Sequence, residues 1–161
     1  MLGILLALFI NNWQEGQKNQ RFLRSVFSSI SQELLDNMQE LKEVMPQQEA
    51  LLDSLERYMD NDQISASEVI ISADGFKLPT IKNTAWRSFL NTKMELVDYE
   101  LIAILSEIEA AKDFLSVKTS KMMDFIFSAA DNTTAESKRI LSMHILNILD
   151  SEDQILEMHN E

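Results

Sequence analysis

Apolar residues recur along the first part of the chain at alternating steps of three and four positions. The positions of this stripe are Leu23, Phe27, Ile30, Leu34, Asn37, Leu41, Val44, Gln48, Leu51, Leu55 and Tyr58. Only Asn37 and Gln48 interrupt its apolar character, and the charged Glu33 and Asp36 fall on other faces. A stripe of this period predicts a long amphipathic helix over residues 14–59 that buries one face, as in a coiled coil.

Pro46 lies inside this predicted helix. A proline within a helix removes a backbone hydrogen-bond donor and clashes with the preceding turn. The heptad register nevertheless continues across Pro46, and no Gly, Asn, Asp or Ser stands beside it to reverse the chain. A kinked but continuous helix is therefore favoured over a helical hairpin.

Residues 60–83 form the one loop-rich segment, with a turn signal at Asp74-Gly75. Inside it, the β-branched residues Val69, Ile70 and Ile71 leave open whether the chain forms a short helix or a short strand at 66–73. A loop of this length in a small domain is often functional or mobile.

Three further helices are expected after this segment, over residues 84–91, 98–130 and 134–159. Asn83 or Thr84 is a suitable N-cap for the first of them, and Asp98 for the second. Thr133 and Glu136 have the spacing of a capping box at the start of the third.

The composition supports an all-α fold. Three glycines and two prolines in 161 residues are few for a protein built of sheets and turns. We therefore expect one helical domain over residues 14–161, a three- to four-helix bundle in which the long helix packs with two antiparallel helices and one short helix. The net charge of −12 disfavours nucleic acid as a partner. The chain has no cysteine, which excludes disulfides.

The first ten residues, Met1 to Ile10, carry no charge and no hydrogen-bonding side chain. A transmembrane helix needs roughly 20 apolar residues, so this run is too short to cross a bilayer alone. We interpret residues 1–13 as the C-terminal part of a membrane anchor helix, which ranks above a buried core helix and above a signal peptide. The predicted anchor residues are Leu5, Leu6, Leu8, Phe9, Ile10 and Trp13.

The interface side of this segment is marked by Trp13, because indole rings favour the membrane boundary. Lys18, Arg21 and Arg24 follow, but the charge rule for orientation compares both flanks and only one is visible here. We expect a single-pass protein of a bacterial inner membrane, with the lipid bilayer as its first partner and the side of the helical domain left open.

Residues that carry catalytic or metal chemistry do not form a recognisable pattern. His144 and His159 are fifteen positions apart in one predicted helix and lack the Glu-x-x-His spacing of carboxylate-bridged metal bundles. His144 is interpreted as a core or boundary residue, and the acidic pairs Glu107 with Glu109 and Glu152 with Asp153 as solvated helix faces. We expect no enzyme activity, no metal and no cofactor.

Two features remain as candidates for interaction. Asn37 stands in the apolar stripe, where a polar residue usually fixes the register or oligomeric state of paired helices. Trp86 and Arg87 form the second, since Trp86 is large enough to anchor a core and Arg87 is able to pair with an acidic face. Core packing is the favoured interpretation of Trp86, with a recognition site as the alternative.

The run from Gly3 to Trp13, GILLALFINNW, resembles the end of the membrane anchor in an uncharacterised bacterial family of short membrane-anchored helical proteins. Members of that family typically have IGILIALQINNWNE at this point. The resemblance continues more loosely at Glu33-Leu34 with Asn37 and at Thr84-Ala85-Trp86. Phe9 stands where the family usually has Gln. The resemblance implies membrane anchoring, and the family's function is unknown.

Together these patterns favour a membrane-anchored helical interaction or scaffolding protein, with a protein partner or a second copy of the chain bound to its helical domain. Two alternatives stay open. One is a sensory or ligand-binding helical bundle, and the other is a soluble helical bundle with an unrecognised ligand.

Overall fold

A computed structural model describes the backbone of residues 2–90 and 99–158, and the side chains of residues 16–89, 99–100 and 102–158. Within this part the regular secondary structure is entirely helical, which confirms the all-α prediction. The helices are α1 (Leu2–Arg57), α2 (Ala66–Ser72), α3 (Thr84–Leu90), α4 (Tyr99–Ala129) and α5 (Ala135–Met158).

The long helix α1 has 56 residues and passes through Pro46 without a break. At 1.5 Å per residue it is about 84 Å long. Pro46 is exposed, so its ring projects into solvent while Val44 and Gln48 continue the buried face on either side of it. The continuous helix excludes the hairpin alternative.

Helix α5 packs against both α1 and α4, and it is the element that holds the bundle together. A short turn joins α4 to α5, so these two helices run antiparallel. Their shared core with the distal half of α1 contains Leu41, Leu51, Leu55, Leu115, Met122, Leu141, Ile145, Ile148 and Ile155. Residues 75–83, which we call the connector, have no regular secondary structure and contribute Ile81 to the same core.

A second, aromatic cluster lies at the end of the bundle nearer the N-terminus of α1. Helix α3 contributes Trp86 and Phe89, which pack with Ile30 of α1 and with Leu105 of α4. Phe22 is the first of the described α1 side chains in this cluster, and its ring centroid is 6.4 Å from that of Phe89. Through these contacts α3 covers one end of the bundle.

The opposite end of the bundle is closed by α2 and by a buried lysine. Ser65 and Glu68 form a capping box that starts α2, and this settles the open choice at 66–73 in favour of a helix. Lys138 has no exposed surface. Its ammonium donates hydrogen bonds to the carbonyl oxygens of Asn61, at 2.7 Å, and of Thr133, at 2.9 Å. It thereby ties two loops to the first turn of α5.

The predicted cap of α5 is wrong by one residue. The helix begins at Ala135, and the hydroxyl of Thr134, not Thr133, accepts a hydrogen bond from the Ser137 amide at 3.2 Å. The third helical position is therefore Ser137, and Glu136 does not close a capping box. Both threonines have the same capping chemistry, so the sequence alone did not distinguish them.

The backbone of residues 2–15 is helical and forms the start of α1. The side chains of the predicted anchor residues Leu5, Leu6, Leu8, Phe9, Ile10 and Trp13 lie outside the described part of the structure, as do Asp98 and His159. Among the helices of residues 2–90 and 99–158, none is long and apolar enough to cross a membrane.

Candidate functional site

The buried Asn37 side chain pairs with the connector. Its Nδ2 donates to the carbonyl oxygen of Lys82 at 2.9 Å, and its Oδ1 accepts from the Lys82 amide at 2.7 Å. Only 1% of Asn37 is exposed. The Asn37 side chain thus forms with Lys82 the two hydrogen bonds that a backbone peptide group would form. Asn37 therefore contacts the connector of its own chain and not a second helix.

Neighbouring carboxylates of α1 extend this contact along the connector and into α3. Glu33 accepts from the Ala85 amide, at 2.9 and 3.0 Å for its two oxygens, which satisfies a free donor in the first turn of α3. Asp36 receives a 2.6 Å hydrogen bond from the Lys82 ammonium. That contact lowers the pKa of Asp36 and raises the pKa of Lys82.

Gln48, the other polar residue of the stripe, forms a second buried joint. Its Nε2 donates to the carbonyl of Lys77 and to Oε1 of Glu152, both at 2.9 Å. Glu152 is fully buried, so its interpretation as part of a solvated face is wrong. Burial raises the pKa of Glu152 to about 7, although the Gln48 hydrogen bond acts in the opposite direction. Oε1 of Gln48 and Oε2 of Glu152 have no hydrogen-bond partner among the described residues.

Trp86 and Arg87 point in different directions from α3. Trp86 is buried in the aromatic cluster. Nε of Arg87 lies 2.9 Å from Oε1 of Glu109 on α4, and Nδ2 of Asn83 donates to the other oxygen of that carboxylate at 2.6 Å. Glu109 therefore links α4 to the start of α3. The interpretation of Glu107 and Glu109 as a solvated pair did not include this contact. Glu107 itself is exposed.

A cavity lies between α1, α3 and α4. Ile30, Glu33, Trp86, Leu105 and Glu109 are among its lining residues. The space open to a water-sized sphere is about 20 Å³, which is room for one water molecule. This cavity is too small to hold an organic ligand.

Large apolar side chains remain exposed on the outer surface of α4 and α5. Phe114 is 56% exposed on α4 and Met143 is 57% exposed on α5, with Val117 and Leu146 beside them on the same helices. Between the two helices lies a groove lined by Phe114, Val117, Lys118, Lys121, His144 and Asn147. We call this the α4–α5 groove.

The Lys118 cation of the α4–α5 groove lies close to an aromatic side chain. The Lys118 ammonium lies 4.7 Å from the centroid of the Phe114 ring. It also donates to the Asn147 carbonyl at 2.7 Å and to the Ser151 hydroxyl at 2.6 Å. A lysine bound in this way is fixed in position, because each contact removes part of its side-chain freedom.

His144 lines the same groove, half-buried against Phe125, with 5.6 Å between the ring centroids. Burial lowers the pKa of His144, and the nearby charge of Lys121 lowers it further. Among the described residues no group of three or more His, Asp or Glu side chains is arranged to hold a metal ion.

Sequence reasoning missed Gln48, Glu152 and the α4–α5 groove. Gln48 carried a signal, because it interrupts an apolar stripe as Asn37 does, yet its partner Glu152 lies more than a hundred positions away. The groove depends on how far α4 and α5 cover each other, which the periodicity of either helix does not specify. No family model, no curated protein and no solved structure matches this chain.

Proposed function

We propose that this chain is a helical interaction module attached to a membrane by its N-terminal segment, as a single-pass protein of a bacterial inner membrane. The observation that carries the proposal is the outer surface of α4 and α5. Phe114 and Val117 line the α4–α5 groove together and stay about half exposed after the bundle has formed. Exposed apolar groups clustered on one surface are typical of protein interaction sites.

Attachment is supported by the course of α1. The apolar run Met1 to Ile10 precedes the bundle in sequence, and from Leu2 onward it belongs to the same helix that forms the bundle. Among the described side chains of α1, contacts with the core begin at Phe22. The helix between Leu2 and Phe22 is about 30 Å long at 1.5 Å per residue. A helix of this length would carry an inserted N-terminal segment clear of the folded bundle.

The cavity beside Trp86 gives no support for the binding of an organic ligand. The cavity beside Trp86 has room for a single water molecule. The buried polar side chains at Asn37 and Gln48 are engaged with the connector and with Glu152, so they serve the fold. Protein binding requires only the exposed surface, which is present.

Site-specific photo-crosslinking in living cells tests this function. A photoreactive residue in place of Phe114 is expected to yield a reproducible adduct with one protein in the membrane fraction. The same residue in place of Ile71 on α2, which is also exposed, serves as the control and is expected to yield none. Adducts of equal yield from both positions, or none from position 114, would contradict the proposal.

A further inference from the structure

The α4–α5 groove combines an exposed apolar surface with positive charge. It exposes an aromatic side chain, Phe114, and it is flanked by two ammonium groups, Lys118 and Lys121. The chain carries 26 acidic and 14 basic residues.

The ion pairs of the described residues do not include these two lysines. Lys77, Lys82, Arg87 and Arg139 each lie within 4.0 Å of a carboxylate. Lys118 instead contacts a carbonyl, a hydroxyl and an aromatic ring, all of them neutral groups. Among the described residues, no carboxylate therefore lies within 4.0 Å of either ammonium group of the groove.

We infer that the α4–α5 groove binds an acidic amphipathic segment of a partner protein, with an apolar side chain against Phe114 and Val117 and a carboxylate at Lys118 and Lys121. Charge complementarity selects this occupant, because opposite charges across an interface favour association and like charges oppose it. The inference rests on the proposed interaction function and specifies the chemistry of the partner.

The geometry suits such a segment. Lys118 is already fixed by the Asn147 carbonyl and the Ser151 hydroxyl, so little side-chain freedom remains to be lost on binding. Phe114 provides a large apolar contact beside it, and aromatic residues of this kind often dominate the binding energy of an interface.

A pair of labelled peptides tests the inference directly. The first is a short amphipathic helix of leucine and glutamate, and the second has lysine in place of every glutamate. Fluorescence anisotropy is measured with the full chain in detergent micelles. The glutamate peptide is expected to bind at least about tenfold more tightly than the lysine peptide, with an affinity that falls as salt is raised.

Matched variants locate the site. Phe114→Ser and Lys121→Glu are each expected to weaken the glutamate peptide about tenfold. Two control variants change the same residue types outside the groove: Phe127→Ser on α4 and Lys42→Glu on α1, both at exposed positions. Both are expected to leave peptide binding unchanged. Equal binding of the two peptides, or equal effects of Lys121→Glu and Lys42→Glu, would overturn the inference.

Two further outcomes would assign the groove to another occupant. Concentration-dependent self-association that Phe114→Ser abolishes would show that a second copy of the chain binds there. Phe114-dependent binding to phospholipid vesicles would show a membrane contact. If the position 114 crosslink persists in Lys121→Glu, the interaction surface stands and the acidic partner fails, whereas loss of every crosslink from position 114 rejects the function itself.

Discussion

The side-chain amide of Asn37 forms two hydrogen bonds with the peptide group of Lys82, one to its carbonyl and one from its amide. The Asn37 side chain thereby provides the connector with the donor and the acceptor that a neighbouring backbone would provide. Gln48 repeats part of the arrangement with the Lys77 carbonyl. The two polar interruptions of the apolar stripe therefore hold the connector against α1, one near each end of the connector, at Lys77 and at Lys82.

Replacing Asn37 with leucine is expected to destabilise the protein. Leucine fits an apolar stripe, but the part-buried amide and carbonyl of Lys82 would lose their partners. The loss of these two hydrogen bonds costs about 1–3 kcal/mol, measured as a lower free energy of unfolding in urea. Lys82→Ala removes the exposed ion pair with Asp36 but keeps the peptide group, so its effect is expected to be much smaller. Stabilisation by Asn37→Leu would contradict this role.

Glu152 is expected to make stability depend on pH. Its pKa is raised from 4.5 to about 7 by burial. Because the folded state holds the proton more tightly than the unfolded state, the stabilisation is complete below pH 4.5 and is lost as pH rises to about 7. A shift of this size corresponds to about 3 kcal/mol, measured by urea unfolding across this pH window.

Glu152→Gln provides the matching test. An uncharged amide keeps the size of the side chain and is able to accept and to donate, so it suits the pair with Gln48. The variant is expected to lose the fall in stability between pH 4.5 and 7, and to be more stable than the parent chain at pH 8. Glu157→Gln, exposed on the same helix, is the control. Equal pH profiles for both variants would rule out Glu152 as the cause.

Lys138→Met is expected to destabilise the end of the bundle where α2 lies. Methionine retains most of the buried apolar volume but leaves the carbonyl oxygens of Asn61 and Thr133 without their donor. The expected loss is about 2–4 kcal/mol. Hydrogen exchange should show faster opening of the 58–65 and 130–134 loops. Arg139→Met changes an exposed cation beside it, and a loss of equal size there would contradict the assignment.

Trp86→Ala is expected to cost about 3–5 kcal/mol, since it opens a cavity in the aromatic cluster. Arg87→Ala is expected to have a much smaller effect, because the Arg87 side chain is 63% exposed. Thermal unfolding of both variants separates the two roles. A larger loss from Arg87→Ala would mean that the contact with Glu109, and not packing of Trp86, secures α3.

The sequence predicted the helices because their signals are local. The stripe of α1, the turn residues after Arg57 and the caps near Asn83 are read from neighbouring positions. The joints between elements were not predictable in this way. Asn37 was recognised as exceptional, yet its partner Lys82 belongs to a segment without periodicity. Glu152 lies in a charged stretch of the sequence, and its burial follows only from the packing of α5 against α1.

Boundaries and surfaces were the least predictable parts. The predicted cap of α5 was Thr133, and the observed cap is Thr134. The prediction failed because two adjacent threonines have the same capping chemistry. Exposure of Phe114 follows from the position of α5 beside α4, and the sequence shows only that a phenylalanine lies in a helix. The α4–α5 groove therefore required the packed structure.

Membrane attachment is the central claim, and fractionation of cells that express the full-length protein tests it most directly. The protein is expected to stay in the membrane pellet through carbonate extraction and to be released by detergent. A double variant, Leu6→Glu with Phe9→Glu, is expected to move into the soluble fraction, while Leu35→Glu, exposed on the same helix, stays in the pellet. Release of the parent chain by carbonate, or retention of the double variant, would contradict the account.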